Sequence, residues 1–377
     1  MKIFFPIGAF FPCQIGGQAS AVHWHVSALA RENIECDVFT TMYGIAPGHI
    51  TSDKITPSDY GNVYYAVNAL SFKSLLSLYG QIKKADLIHL SGIFNIPSTL
   101  SLIMWALLLS RKPLVASVHG ELSADALRFS RWKKQPTLFL YRILYKKMLF
   151  HTTSDKETED VTDFFNGCRT LQVPNLMYPA DPVSAVKKKQ FLFMGRIHEI
   201  KALHKFIDAL ALSKLFKNSE FVFDIAGSHE ERHEDYFQEL KKLIIDLDLD
   251  HKVKFSGHIT GDEKETKYAE SWFLVLPSES ENFGNVVVEA LNQGTPVLAS
   301  LGTPWSVLEK YRCGIHTSNA PENLAEYIDK IITMDSRVYD EYCHNAGTLV
   351  NEKFNIKTQI SVWTETYKQL SSAKQQI

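Results

Sequence analysis

Short runs of consecutive apolar residues alternate along this chain with longer stretches in which apolar residues return at helical spacing. In the first half, residues 2–7, 38–41, 87–90 and 114–117 read as buried strands, and residues 20–32 as a helix that follows a glycine-containing loop. A further short strand is predicted at 170–173. The pattern breaks at 174–189, where Pro174, Pro179, Pro182 and the run Lys187-Lys188-Lys189 replace it. That segment reads as an interdomain linker. A second series follows, with strands at 191–194, 221–226, 253–255, 273–276 and 297–299 and helices near 201–213, 233–247, 262–270 and 285–293. The tail from Ile356 is helical in pattern and has no strand beside it. Strands that alternate with helices call for a parallel sheet covered on both faces. The chain is therefore expected to be α/β, with one domain over 1–173 and a second over 190–355.

Composition narrows the picture. The 377 residues are enough for two or three domains, and 45% apolar with 22% charged residues is ordinary globular usage. The longest apolar stretch, residues 102–109 (LIMWALLL), is far shorter than the roughly twenty residues that span a bilayer, so a buried helix is expected there. Five scattered cysteines with no C-x-x-C spacing argue against a disulfide framework or zinc site and for a reducing compartment. The chain opens directly on a strand with no signal-peptide pattern, and a cytoplasmic location is expected.

A formal net charge of −2 argues against nucleic acid as a partner. That charge is unevenly spread. Residues 1–173 hold 17 Lys/Arg against 13 Asp/Glu, and the excess is concentrated in 111–147. There Arg128, Arg131, Lys133, Lys134, Arg142, Lys146 and Lys147 are interleaved with Phe129, Trp132, Phe139, Leu140, Tyr141, Leu144 and Tyr145. Segment 128–147 reads either as a solvated helix face with core residues behind it, or as a peripheral contact with the anionic inner face of a membrane.

Four segments carry chemistry. In 277–299 (PSESENFGNVVVEALNQGTPVLA), Phe283-Gly284 precedes a helix that opens near Asn285. The first amides of that helix, at Gly284, Asn285 and Val286, form an anion site. Glu281 before the turn and Glu289 about one turn into the helix can each accept hydrogen bonds from sugar or ribose hydroxyls. In 191–203 (FLFMGRIHEIKAL), a buried strand ends at Gly195, and Arg196 and Lys201 follow on one loop, two cations that can neutralise a diphosphate without a metal. In 10–30, Gly16-Gly17 lies between the first strand and the first helix, at the sheet edge where α/β proteins bind ligands. His23 and His25, two apart on that helix, read as structural or surface residues. In 113–127 (PLVASVHGELSADAL), a strand ends in His119-Gly120, with Glu121 and Asp125 close behind.

These segments resemble family 4 of the glycosyltransferases (glycosyl transferases group 1), a large retaining family. The first is similar to the family pattern PSxxEGFGxxxxEAxxxGxPV, with Asn282 where the family usually has Gly, a change that bears on sugar specificity. Thr303-Pro304-Trp305 resembles members that build bacterial exopolysaccharide and lipopolysaccharide. The second is similar to GRLxxxKG, with Ala202 in place of the last Gly, and the fourth to PxVxSxHG. SGHIT at 256–260, with Ile259, is similar to the loop that lines the nucleotide base.

The resemblance implies a GT-B fold, two Rossmann-like domains facing across a cleft, the first binding acceptor and the second the nucleotide sugar. A C-terminal helix over about 356–377 would pack back on the first domain. It implies a retaining transferase that moves a sugar from a nucleoside diphosphate, UDP favoured over GDP, to a hydroxyl of a glycan or polyprenyl-diphosphate-linked acceptor in O-antigen or other envelope polysaccharide synthesis. Glu281, His119, Arg196 and Lys201 would form the catalytic set. Gly16, Gly17, Ile259, Phe283, Gly284, Asn285, Val286 and Glu289 would bind the donor with Arg196, Lys201 and Glu281. No metal and no cofactor beyond the donor are expected. An inverting GT-B transferase and a catalytically silent nucleotide-sugar-binding protein are the alternatives. A dinucleotide-dependent enzyme is disfavoured, because no G-x-G-x-x-G follows the first strand.

Overall fold

The computed structural model describes residues 1–13, 17–45, 48–128 and 131–373. Gly16, Phe129 and the end of the tail (374–377) fall outside them, as does the side chain of Arg131. The chain divides into two compact units, Met1–Tyr178 together with Ile356–Ile377, and Pro179–Asn355. The division falls inside the segment expected as a linker, whose last two residues already belong to a strand that starts at Lys188.

The first unit is built on eight strands: β1 (Lys2–Pro6), β2 (Glu35–Thr41), β3 (Ile55–Ser58), β4 (Gly61–Ala66), β5 (Leu87–Ser91), β6 (Leu114–Ser117), β7 (Met148–Thr152) and β8 (Arg169–Gln172). Their order is β3-β4-β2-β1-β5-β6-β7-β8, and every pairing is parallel except the β3–β4 hairpin at one edge. Helices cover both faces. Gly17–Arg31 and the C-terminal helix Ile356–Ala373 lie on one side, where Val22, Val26, Leu29, Ile360 and Trp363 share a core with Ile3, Phe5 and Val38. Phe72–Lys84, Ile96–Leu107 and Arg131–Leu144 lie on the other, with Leu78, Leu102, Leu138 and Tyr141 against Phe4, Phe39 and Ile88. Covering both faces explains why all five residues of β5 are buried, where a sheet with one wet face would bury every other one. One buried acid on β2 is part of the framework. Asp37 meets Lys2 Nζ at 2.8 Å and accepts from Asn62 N and Nδ2 at 3.1 and 3.0 Å, joining β1, β2 and β4.

The second unit holds β9 (Lys188–Met194), β10 (Val222–Ala226), β11 (Val253–Gly257), β12 (Ser271–Leu276), β13 (Val297–Ser300) and β14 (Gly314–Thr317), all parallel, in the order β11-β10-β9-β12-β13-β14.

Two expectations change. The pattern overlooks β3, β4, β7 and β14, which are short or begin with glycine (β4 and β14), or, for β7, follow a helix after only the three-residue turn Tyr145–Lys147. The apolar stretch 102–109 is helical only to Leu107 and is not buried throughout. Leu102 and Trp105 are buried, while Leu107 and Leu109 are 77% and 87% exposed, because a surface helix turns only one stripe inward.

The C-terminal helix is tied to the first unit by Tyr367, which is fully buried. Its hydroxyl bonds His25 Nε2 at 2.8 Å and His89 Nδ1 at 2.7 Å. Tyr367→Phe leaves both imidazole nitrogens without that partner, and a loss of about 1–3 kcal/mol is expected in urea unfolding.

Candidate active site

In the second unit the chain leaves β9 at Met194 and turns through Gly195 into the loop 195–201, at the carboxyl end of the sheet. The turn is bonded to the segment after β10: Gly195 N donates to Ala226 O at 3.0 Å and Ile197 N to Ser228 O at 2.9 Å. The approach is so close that a Cβ on Gly227 would lie 1.7 Å from Gly195 O, so residue 227 has to be glycine. The loop closes in a 3₁₀ turn, Glu199–Lys201, capped by His198, whose Nδ1 accepts from Ile200 N at 3.0 Å. Ala202 then takes the left-handed conformation (φ 50°), in the position where the family motif has glycine. The two cations of the loop meet different acids. Arg196, about half exposed, lies 3.4 Å from Glu230, and Lys201 forms an ion pair with Glu281 in which each side chain is 16% exposed.

The segment after β12 is held by its backbone. Glu279 N donates to Ile200 O at 2.8 Å, and Glu281 N to Gly302 O at 2.9 Å. These two bonds fix Glu281 between the 195–201 loop and the turn after β13. Phe283 is buried, with ring centroids 5.1 Å from Trp305 and 5.8 Å from Phe354, and its carbonyl accepts from Trp305 Nε1 at 2.5 Å. Phe283 and Trp305 thus act as a core wedge behind the turn. Gly284 follows with φ 80°, and helix Asn285–Asn292 opens directly after it. Asn285 is buried and Val286 half-buried. The N-terminus of this helix sets a partial positive charge beside Gly284.

Glu289 lies inward from that end and is buried. Its Oε2 accepts from Tyr268 Oη at 2.8 Å and meets Lys264 Nζ at 2.7 Å. Lys264 and Tyr268 were not among the residues the motifs pointed to. Their spacing of four puts them on one face of helix Gly261–Glu270, but nothing in the sequence ties that face to Glu289 on the next helix. Ile259 is buried just after β11 and two residues ahead of that helix.

In the first unit, Gly17 begins helix Gly17–Arg31. His119 and Gly120 follow β6 in left-handed conformations, φ 51° and 75°. Two acids hold this turn. Glu157 accepts from Gly120 N at 2.5 Å and from Thr153 N at 2.6 Å, and Glu121 accepts from Ile93 N and Phe94 N at 2.6 and 3.0 Å. Burial pushes the Glu121 carboxyl up to about 7.

His119 lines a small cavity of about 30 Å³ with Phe5, His25, His89, His151 and Trp363, space for a water or two. Its Nε2 has no hydrogen-bond partner among the described residues. His25 is half-buried here, and His89 and His151, which no motif marked and which are buried, join it. His151 Nε2 lies 2.8 Å from Val173 O, Ser117 Oγ 2.6 Å from both His151 Nδ1 and His89 Nε2, and Tyr367 bridges His89 to His25. A carbonyl only accepts, so His151 carries its proton on Nε2. With neutral imidazoles every other direction follows: His25 donates to Tyr367, Tyr367 to His89, His89 to Ser117, Ser117 to His151 and His151 to Val173. Burial keeps these rings uncharged, lowering His25 and His119 to about 3 and His151 to about 4.

Comparison with known proteins places this architecture. Residues 15–175 match the family model described as Glycosyltransferase Family 4, and residues 178–348 match that of Glycosyl transferases group 1. The chain belongs to the group 1 glycosyltransferases.

Among relatives of this group 1 glycosyltransferase, an uncharacterised glycosyltransferase of Methanocaldococcus jannaschii is 31% identical over 45% of the chain and 42% of its own length. The O-antigen chain mannosyltransferase RfbU of Salmonella typhimurium is 31% identical over 30% of each. The matches thus span less than half the length of these curated relatives. Among solved structures, HepE of Anabaena with UDP and glucose superposes with TM-score 0.75 at 21% identity, over 98% of this chain and all of that one. Sucrose-phosphate synthase of Thermosynechococcus elongatus reaches 0.79 at 20% identity, over 99% of each. These likenesses show the fold, which is GT-B, two Rossmann-like parallel-sheet units.

The buried imidazoles make this transferase acid-sensitive. Each has a folded pKa below its ordinary value, so below about pH 6.5 the unfolded chain takes up protons that the folded chain refuses, and stability falls as pH drops. Glu121, raised to about 7, and Glu157, also raised by burial, act in the opposite sense, two carboxyls against the four imidazoles His25, His89, His119 and His151. The thermal midpoint is expected to be lower at pH 5 than at pH 7.5. An unchanged or higher midpoint would contradict the neutral network.

Proposed function

We propose that the protein transfers a sugar from a nucleoside diphosphate sugar, UDP favoured, to a hydroxyl of a glycan or lipid-linked glycan, with retention at the anomeric carbon and with no metal in the chemistry. The observation that carries this reading is the Lys201–Glu281 pair on two loops bonded to each other, with Arg196 on the same loop as Lys201. A donor diphosphate is a stronger partner for two cations than the carboxylates that now meet them. It would draw Arg196 from Glu230 and Lys201 from Glu281, freeing Glu281 to accept from sugar hydroxyls. The amides at Gly284, Asn285 and Val286 face the same charge, Glu289 accepts from the ribose, and the backbone at Ile259 borders the base.

As the anomeric C–O bond breaks, its electrons pass to the departing phosphate oxygen, whose growing charge Arg196, Lys201 and the helix N-terminus stabilise. The acceptor oxygen forms the new bond on the same face, and its proton passes to that phosphate oxygen. His119, buried and uncharged, can hydrogen-bond a sugar but brings no positive charge. Supporting the donor class is a UDP-bound protein of the same fold, and supporting the acceptor class are relatives named as an O-antigen mannosyltransferase and a poly(glycerol-phosphate) alpha-glucosyltransferase.

The same reading extends to a membrane-linked acceptor. On helix Arg131–Leu144, Leu138, Tyr141 and Leu144 are buried, while Trp132, Phe139 and Ile143 are 76%, 65% and 60% exposed on one stripe, beside Lys133, Arg142, Lys146 and Lys147. Exposed aromatic and aliphatic residues framed by cations suit an anionic bilayer surface. Among the described residues, no helix is long and apolar enough to cross a membrane.

Arg196→Ala is expected to lower transfer at least about 100-fold with the fold intact. A panel of UDP- and GDP-sugars, read first by thermal shift and then by the anomeric configuration of the product in NMR, identifies donor and stereochemistry; normal turnover in the variant, or inversion, defeats the reading. Co-sedimentation with vesicles containing anionic lipid, and its loss in a Trp132→Ser/Phe139→Ser/Ile143→Ser variant, checks the membrane face. Equal binding of the variant removes that part.

A further inference from the structure

The loop that carries Arg196 and Lys201 holds a second group of residues that donor binding does not use. His198 and Glu199 stand between the two cations, and His233 comes from the short turn Glu231–His233 that follows β10. The two imidazole rings are 4.1 Å apart between centroids. Glu199 Oε2 lies 3.3 Å from His233 Nδ1 and 3.5 Å from His198 Nδ1. Among the described residues neither ring nitrogen of His233 has a hydrogen-bond partner, although its side chain is only 14% exposed. An imidazole placed in this way, with both nitrogens sheltered and a carboxylate within reach, lacks the partner that buried polar atoms ordinarily have.

We propose that His198, Glu199 and His233 form a binding site for a borderline transition-metal cation of the zinc class, which fastens the 195–201 loop to the segment after β10. Three arguments converge. Two imidazoles and one carboxylate are a donor set that suits zinc, cobalt or nickel and not magnesium or calcium, which take oxygen ligands. The spacing fits: a tetrahedral centre with bonds of about 2.1 Å sets its ligand atoms about 3.4 Å apart, between the two distances found, and all three ligand atoms lie within 4.8 Å of one another. Access fits as well, because the Glu199 side chain is 57% exposed.

The site would act on the loop and not on the reaction. Coordination through His198 Nδ1 takes the lone pair that now receives the Ile200 amide, so the metal exchanges one hydrogen bond of the turn before Lys201 for a bond that reaches across to His233. The nearby Arg196–Glu230 pair already links the same two segments, so the cation would complete an existing contact rather than create one. This inference stands apart from the identity of the donor.

The test is titration of the chelator-stripped full chain with zinc, read by competition against a metal indicator and by thermal shift in the absence of any nucleotide sugar. One tight equivalent is expected, with a raised thermal midpoint and with magnesium unable to replace it. Loss of an outer partner of a metal ligand costs about 10–100-fold in affinity, so His233→Ala and Glu199→Gln should each weaken binding at least about tenfold and abolish the shift. Glu199→Gln, at an exposed position, keeps the test valid should His233→Ala fold poorly. Asp248, Asp250 and His251 form a fully exposed cluster elsewhere in this unit, and Asp248→Asn/Asp250→Asn serves as the control. Binding unchanged in the Glu199 and His233 variants, binding lost in the control, or no tight equivalent in the parent chain overturns the proposal.

Discussion

The first unit depends on a row of hydrogen bonds buried at the carboxyl ends of its strands. It runs from His25 through Tyr367, His89, Ser117 and His151 to the carbonyl of Val173, and it joins the first helix, β5, β6, β7, the exit from β8 and the C-terminal helix. Sheet packing alone would hold these elements by apolar contact. The row adds direction, because a single carbonyl at one end dictates where each proton sits, and it holds only while the imidazoles stay uncharged. It also explains the position of His119, whose ring shares the cavity with His151 and is kept neutral by the same burial.

In the second unit the equivalent constraint is charge neutralisation. Asp224 on β10 is fully buried and meets Lys267 at 3.0 Å and Lys254 at 3.2 Å, with Ser256 Oγ at 2.5 Å. Glu289 has Lys264 and Tyr268, and Glu281 has Lys201. A buried charge without a partner is costly, so each of these three acids is matched by a lysine. On the proposed reading the consequence for ligand binding is exchange. A donor diphosphate entering here would replace the present partners of Arg196 and Lys201. This is also why Phe283 and Trp305, prominent in the motif, serve behind the site: their packing against Phe354 holds the turn that presents Gly284 and the helix amides.

Much of this was legible in the chain itself. Alternating apolar runs and helical stretches announced two parallel α/β units, and the motif spacings singled out Arg196, Lys201, Glu281, Glu289 and His119 without any coordinates. The stretches that misled were those in which local pattern is ambiguous. β4 and β14 begin with glycine, β7 follows a helix after only the turn Tyr145–Lys147, and 102–109 looks uniformly buried because a run of leucines does not say which of them face outward.

What the sequence determined by itself was periodicity and residue type: where strands and helices alternate, and which loops hold cations, acids and the glycines that close approach demands. What only the tertiary structure decided was pairing between residues far apart in the chain. Nothing local brings Tyr367 to His89, Lys264 to Glu289 or His233 to His198. These contacts arise because parallel strands gather their carboxyl ends on one edge of a sheet, and because polar side chains drawn inward there must find partners that water no longer supplies.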